Sequence, residues 1–401
     1  MKASIKDSFN SVYSAKTIRS TAKLSTTYYL QPTKFGFTIV ELLVVIVVIG
    51  ILAAITIVSY TGISSKATVA SLTSDLDNAA KQLKLDQVSN MAYPTSLATA
   101  NGGNGIKYNS DTTPQYVVNN NITPQAFCLS YTKNNQTYKI TESNTTSSGD
   151  CTNYLPVLYL DAGTYSAGTT WTDLSGLGNN ANLLGGVFKE NDYLVCNGTD
   201  GGNDDYIEIP NSAASSYFNN PDNLTIMIVA QINRESGLFG PTDSNVYGHI
   251  IGKGGGDGSQ TIKNAYSIFY DSRNNFMSNG FYKGTPSTQY PNNISGYRYE
   301  VNWADVQTAN NWGDKFIAYF VISNDGKVSY YWYRLGKSTI SGTATYTTGG
   351  TFDNIYNLRI CVDYSSRYNK QRTWMAVVYD RALTSTEVNQ NFASLRGRFG
   401  I

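Results

Sequence analysis

Residues Phe37–Val58 read FTIVELLVVIVVIGILAAITIV, 22 residues with a single charge, Glu41. As a helix rising about 1.5 Å per residue, this stretch is roughly 33 Å long, enough for a hydrocarbon core of about 30 Å. A secretory signal peptide has a shorter apolar region followed by an A-x-A-like site, whereas here the flank is TGISSK. On hydropathy alone the segment is a signal anchor. The six basic side chains before it, Lys2, Lys6, Lys16, Arg19, Lys23 and Lys34, are opposed only by Asp7. The positive-inside rule therefore keeps residues 1–36 in the cytoplasm and sends the chain after about residue 60 outside.

Glu41 does not suit a plain anchor. A carboxylate in a lipid-facing helix costs roughly 2.5–3.5 kcal/mol at the bilayer centre, and so requires a partner. A cut between Gly36 and Phe37 creates an α-ammonium about 6 Å along the axis from Glu41. Pairing of the two, within one subunit or between neighbours, neutralises the charge and sets a register.

The segment KFGFTIVELLVVIVVIGILAAI resembles the class III signal of type IV pilins and type II secretion pseudopilins. It has a basic residue, Gly before the cut, an aromatic residue after it, and Glu at the fifth position of the product. The resemblance implies that prepilin peptidase cleaves after Gly36, that Phe37 becomes an N-methylated terminus, and that Glu41 directs assembly with other pilin subunits. The sequence departs from the family at Val58, where a Pro is common eight residues after the position of Gly50. A proline kink is therefore absent, and Gly50 is the local weak point.

Working outward, residues 61–90 keep Val69, Leu72, Leu76, Ala80 and Leu83 at helical spacing, so the membrane helix is expected to continue as an amphipathic stalk. The next block is turn-rich. It carries the alternating stretches QYVVNN and AFCLSYTKNNQTYKIT, the latter a hairpin about Asn134 and Asn135. From Tyr154 onward many short alternating strands are separated by Gly, Asn and Asp turns, among them LTIMIVAQI, KFIAYFVIS and WMAVVYD. Asn324-Asp325-Gly326 marks a hairpin, and Thr384-Ser385-Thr386-Glu387 is a capping box opening a helix to about Arg396.

In order, LYLDAG, WTDLSGLGNNANL, LVCNGTDGGNDDYIEIP, TIMIVAQI and WMAVVYDRALTSTEVNQNF resemble the laminin-G-like, concanavalin A-type jelly roll. The expected fold class is thus an α+β N-terminal pilin, with a long α-helix and a small antiparallel β head, followed by an all-β two-sheet jelly-roll sandwich. The expected divisions are a leader (1–36), a transmembrane and stalk helix (37–90), a small pilin β head (91–153) and the jelly roll (154–401).

Four cysteines occur, Cys128, Cys151, Cys196 and Cys361, with no C-x-x-C spacing and a single histidine, His249, which argues against a Cys/His zinc site. Outside the membrane an even count suggests disulfides. Many pilins close a C-terminal loop, which implies Cys128–Cys151, with two free thiols as the alternative. Cys196 and Cys361 stand where the jelly-roll family more often has Phe and Gly, and either pair or serve as small buried side chains.

No cofactor is required by the sequence. Asp200, Asn203, Asp204 and Asp205 are candidate Ca²⁺ ligands, with a polar turn as the alternative reading, and Asp173 with Asn179 and Asn180 is a weaker instance. Trp303 and Trp312 suit either sugar stacking or core packing. Some glycosidases on this fold carry an E-x-D-x-x-E run, but DYIEIP and EVNWAD lack that spacing. His249, read as part of the glycine-rich loop VYGHIIGKGGGDG, is a poor base, and that string lacks the spacing of a phosphate loop. The expectation is a protein without enzymatic activity.

Beyond residue 36 the net charge is −4, against +5 within the leader, so nucleic acid is not an expected partner. Expected partners are the membrane, prepilin peptidase, other pilin subunits, and a glycan or surface protein held by the jelly roll. The chain is then a single-pass membrane protein before assembly and extracellular in a filament afterwards. A head of about 240 residues crowds a filament if every subunit carries it, which points to a minor, lectin-bearing subunit. The alternative is a pseudopilin-like or structural pilin whose C-terminal part binds protein cargo.

Overall fold

A computed structural model describes residues 37–197, 205–210, 218, 223–233, 247–253, 265–271, 276–282, 297–298, 312–345, 357–362 and 370–401. The chain divides into two units, residues 1–62 and 63–401. One helix, α1 (Ile39–Asn90, 52 residues), contributes to both. In the first unit its apolar side chains are all exposed, from Ile39 to Val58, and the helix runs unbroken through Gly50 and Val58. None of the described residues covers this surface, which is long and apolar enough to cross a membrane.

In the second unit α1 becomes amphipathic. Leu72, Leu76, Ala79, Ala80 and Leu83 pack against Phe127, Leu129, Tyr131 and Ile140. Those residues lie on an antiparallel sheet of β1 (Thr113–Asn119), β2 (Ala126–Lys133), β3 (Gln136–Thr141) and β4 (Ser147–Ser148), in that order. The β2–β3 turn places Asn134 and Asn135 at φ 50° and 60°, the left-handed pair that a two-residue hairpin needs. Asp86, buried on α1, accepts from the N–H groups of Asn101 and Gly102 and so ties down the loop after the helix.

The rest of the unit is a two-sheet sandwich. Its strands are β5 (Leu158–Asp161), β6 (Thr170–Trp171), β7 (Ala181–Leu184), β8 (Phe188–Glu190), β9 (Tyr193–Cys196), β10 (Tyr206–Ile209) and β11 (Leu224–Ile232). They continue with β12 (Tyr247–Lys253), β13 (Ala265–Asp271), β14 (Phe276–Tyr282), β15 (Tyr297–Arg298), β16 (Phe316–Ser323), β17 (Lys327–Arg334), β18 (Ile340–Thr345), β19 (Leu358–Ile360) and β20 (Gln371–Tyr379). One sheet runs β15-β14-β13-β12-β19-β10-β7-β6, the other β18-β17-β16-β11-β20-β9-β8. β20 shares one edge between β9 and β5.

The central strands of the second sheet are buried on both faces. Along β11, Leu224, Ile226 and Ile228 enter the core between the sheets, while Met227 and Val229 enter a second core behind them. Period-2 alternation normally gives one polar face, and here both faces are apolar because each has a cover. The cover of the second core includes α2 (Ser385–Phe399), through Val388, Leu395 and Phe399, and the small head, through Ile122 and Ala126. The Asn119 side-chain amide donates to the carbonyls of Leu174 and Ser175 at 3.0 and 3.2 Å, and the Tyr159 hydroxyl donates to that of Thr123 at 2.6 Å. Head and sandwich therefore form one compact unit.

Both disulfides are present. Cys128–Cys151 joins β2 to the loop after β4, and Cys196–Cys361 joins the end of β9 to the residue after β19, linking the two sheets across the core. α2 carries the capping box read from the sequence and ends at Gly400 in the left-handed region (φ 67°).

Candidate functional site

The N-terminal site is built on the first turn of α1. The Thr38 N–H and hydroxyl donate to Glu41 Oε2 at 2.9 and 2.8 Å, and the Glu41 N–H donates to the Thr38 hydroxyl at 3.2 Å. This is a capping box, which satisfies orphan donors at the helix start. Both bonds fall on one carboxylate oxygen, and Glu41 Oε1 accepts no hydrogen bond from the described residues. Glu41 is exposed, as is Phe37, and is the sole charge between Phe37 and Ser65. Gly36 lies outside the described residues. The role of Thr38 was missed in the sequence, although T-I-V-E before an apolar run carries the signal.

The candidate Ca²⁺ residues are only in part described, since Asp200, Asn203 and Asp204 fall outside. Asp205 is buried, and its oxygens accept from the backbone N–H groups of Gly186 and Asn197. Its carboxylate thus holds two loops together. Asp173 is also fully used. It accepts from the N–H groups of Tyr159, Ser175 and Asn179 at 2.9 Å each and from the Ser175 hydroxyl at 2.7 Å, while Asn180 accepts from the Asp173 N–H at 2.8 Å. That network is the turn reading. Among the described residues no three His, Cys, Asp or Glu side chains are grouped to hold a metal.

His249 corrects an expectation. It lies within strand β12, at the irregularity where β12 pairs with β13, and not in a glycine-rich loop. Gly248 and Gly252 conceal the strand in the sequence. Trp303 lies outside the described residues, and Trp312 has the Arg372 guanidinium 4.0 Å from its ring centroid, a packing contact.

A cavity of about 810 Å³ opens where the small head meets the sandwich. Its walls come from β3 and β4, from Tyr154–Tyr159, and from β20 and α2. Two carboxylates there are engaged. Glu387 pairs with Arg381 at 2.8 Å and accepts the α2 cap bonds from Thr384, while Glu142 accepts from the Tyr154 hydroxyl at 2.7 Å and the Phe127 N–H at 3.3 Å. Burial pushes the Glu142 carboxyl above the usual carboxylate range despite those bonds. Lys139, half-buried on β3, lines the same cavity.

Residues 32–57 match the family described as the Prokaryotic N-terminal methylation motif, so the chain carries a prepilin-type signal. No curated protein matches the chain. Similar solved structures include the binding domain of botulinum neurotoxin DC in complex with SialylT (15% identity, 61% of this chain and 52% of that one, TM-score 0.44). They also include the same domain with rat synaptotagmin II (14%, 61% and 52%, TM-score 0.43) and Trypanosoma rangeli sialidase in complex with sialic acid (12%, 73% and 54%, TM-score 0.39). The chain spans about half the length of each, and likeness at this level transfers neither ligand nor activity.

Proposed function

We propose that this protein is a subunit of a type IV pilus or related filament, cut by prepilin peptidase after Gly36 and displaying its sandwich as an adhesion domain. The observation that carries this reading is the start of α1. A methylation motif spans residues 32–57, and the helix that begins within it exposes an apolar surface that none of the described residues covers, with one carboxylate at Glu41. A surface of that kind suits lipid first and a bundle of identical helices afterwards.

Assembly follows from the electrostatics. In the capped helix Glu41 Oε1 accepts no hydrogen bond from the described residues, so the α-ammonium of Phe37, in the same or an adjacent subunit, has an acceptor to approach. An uncompensated carboxylate in the packed core of a filament is costly, and this couples correct register to neutralisation. The size of the sandwich favours a minor subunit.

Cells producing the wild-type protein and the Glu41→Ala variant, sheared and fractionated, test the reading. Wild-type protein in the sheared filament fraction, with at least a tenfold loss for Glu41→Ala at equal membrane levels, supports it. Equal recovery of both from the membrane alone refutes it.

A further inference from the structure

The cavity between the small head and the sandwich is lined by two carboxylates, Glu142 and Glu387, and two cations, Lys139 and Arg381. Its carboxylates are each held by protein donors, Glu387 by Arg381 and the α2 cap, Glu142 by Tyr154 and the Phe127 N–H. Lys139 is different. Its ammonium makes no hydrogen bond or ion pair with any described residue, although the side chain is half-buried and lines the cavity. Burial, and then the like charge of Arg381, depress its pKa below the ordinary lysine value, against the opposing pull of the Glu387 and Asp150 carboxylates. A partly desolvated ammonium that donates to no described residue keeps its donors for an incoming acceptor, and an anionic acceptor uses them best.

The surrounding wall narrows the chemistry of that anion. β4 is the edge strand of the head sheet, and Ser147 and Ser148 on it line the cavity, as does Thr145 just before it. Hydroxyls both donate and accept, so this wall suits a ligand rich in hydroxyls. The ring of Tyr154, with the Arg381 guanidinium 5.2 Å from its centroid, adds a flat apolar surface beside the charge. The volume of about 810 Å³ falls within the 300–1,000 Å³ usual for small-ligand sites and is far more than an inorganic anion fills.

We infer that this cleft is a binding site for a small acidic saccharide, its carboxylate taken by Lys139 and its hydroxyls by the wall of Thr145, Ser147 and Ser148. The inference rests on the adhesive reading of the sandwich and gives it a ligand class and a place. Arg381 orders the site from behind through its pair with Glu387, and Lys139 makes the contact that discriminates charge.

The full chain in detergent, titrated calorimetrically with tri-galacturonate and with its neutral methyl ester, tests this. The expected result is saturable binding of the acid, at least tenfold weaker binding of the ester, and at least a tenfold loss for Lys139→Met with an unchanged melting temperature. Acid and ester bound alike, or wild type and Lys139→Met bound alike, overturns the site while leaving an adhesive role elsewhere on the sandwich intact. Absence of binding by the folded protein overturns it too. Whether cells adhere through the filament is measured separately, so the two failures are distinguishable.

Discussion

Arg398 grips Asp161 with both ends of its guanidinium, Nη1 to Oδ2 and Nη2 to Oδ1 at 2.6 Å each, across 237 positions of sequence. Asp161 closes β5 and is almost wholly buried, whereas Arg398 sits in the last turn of α2 and is partly exposed. A bidentate pair of this kind fixes orientation as well as distance. It holds the helix that covers the second core against the strand it covers.

Asp161→Asn removes the charge and leaves the guanidinium facing a neutral amide in a largely buried site. Stability is expected to fall by about 2–3 kcal/mol, because breaking one side of a buried pair costs more than the pair contributes. Denaturant unfolding of the purified chain measures it, and the loss should exceed that of Asp325→Asn, whose ion pair with Lys327 is half exposed.

The Cys196–Cys361 bond closes a loop of 165 residues between the two sheets, so its removal releases much chain entropy in the unfolded state. A Cys196→Ala, Cys361→Ala double variant is expected to lose about 2–5 kcal/mol. Within that range the long loop stands at the upper end, and the corresponding change at Cys128 and Cys151, which close 23 residues, is expected to cost less, about 3 kcal/mol. Melting temperatures of the two double variants decide the order, and alkylation mass shifts confirm four bonded sulfurs in the wild type.

Glu142 gives a pH signature. Its folded pKa is raised by burial, so the native state holds that proton more tightly than the unfolded chain does. The resulting stability is fully present below the ordinary glutamate value of 4.5 and is lost as pH rises through the folded pKa. Glu142→Gln lacks the titration, so its stability relative to wild type should increase with pH across that window. Unfolding midpoints between about pH 4 and pH 8 test this, and parallel curves for the two proteins would contradict it.

Local signals were legible in the sequence, and those that depend on distant partners were not. The apolar run of α1, the left-handed pair Asn134–Asn135 and the Thr384–Glu387 capping box are each set by residues within a few positions, and each appears in the structure as read. β12 was missed because Gly248 and Gly252 lower its strand propensity, and it is stabilised by pairing with β13 and β19. Burial of β11 on both faces was written in its continuous apolar run, but its second cover, α2 with the small head, comes from opposite ends of the unit. The pairing of Cys196 with Cys361 stayed open for the same reason, since it depends on which strands face across the core. Lys139 gave no signal at all, because a lysine on a short polar strand reads as a solvated side chain until α2 is laid beside it.

Mass spectrometry of the N-terminus of the protein recovered from sheared filaments tests the central claim most directly. The account predicts a chain beginning at Phe37 and carrying one added methyl group on its α-amine. A chain still beginning at Met1, or cut at a different bond, would contradict it.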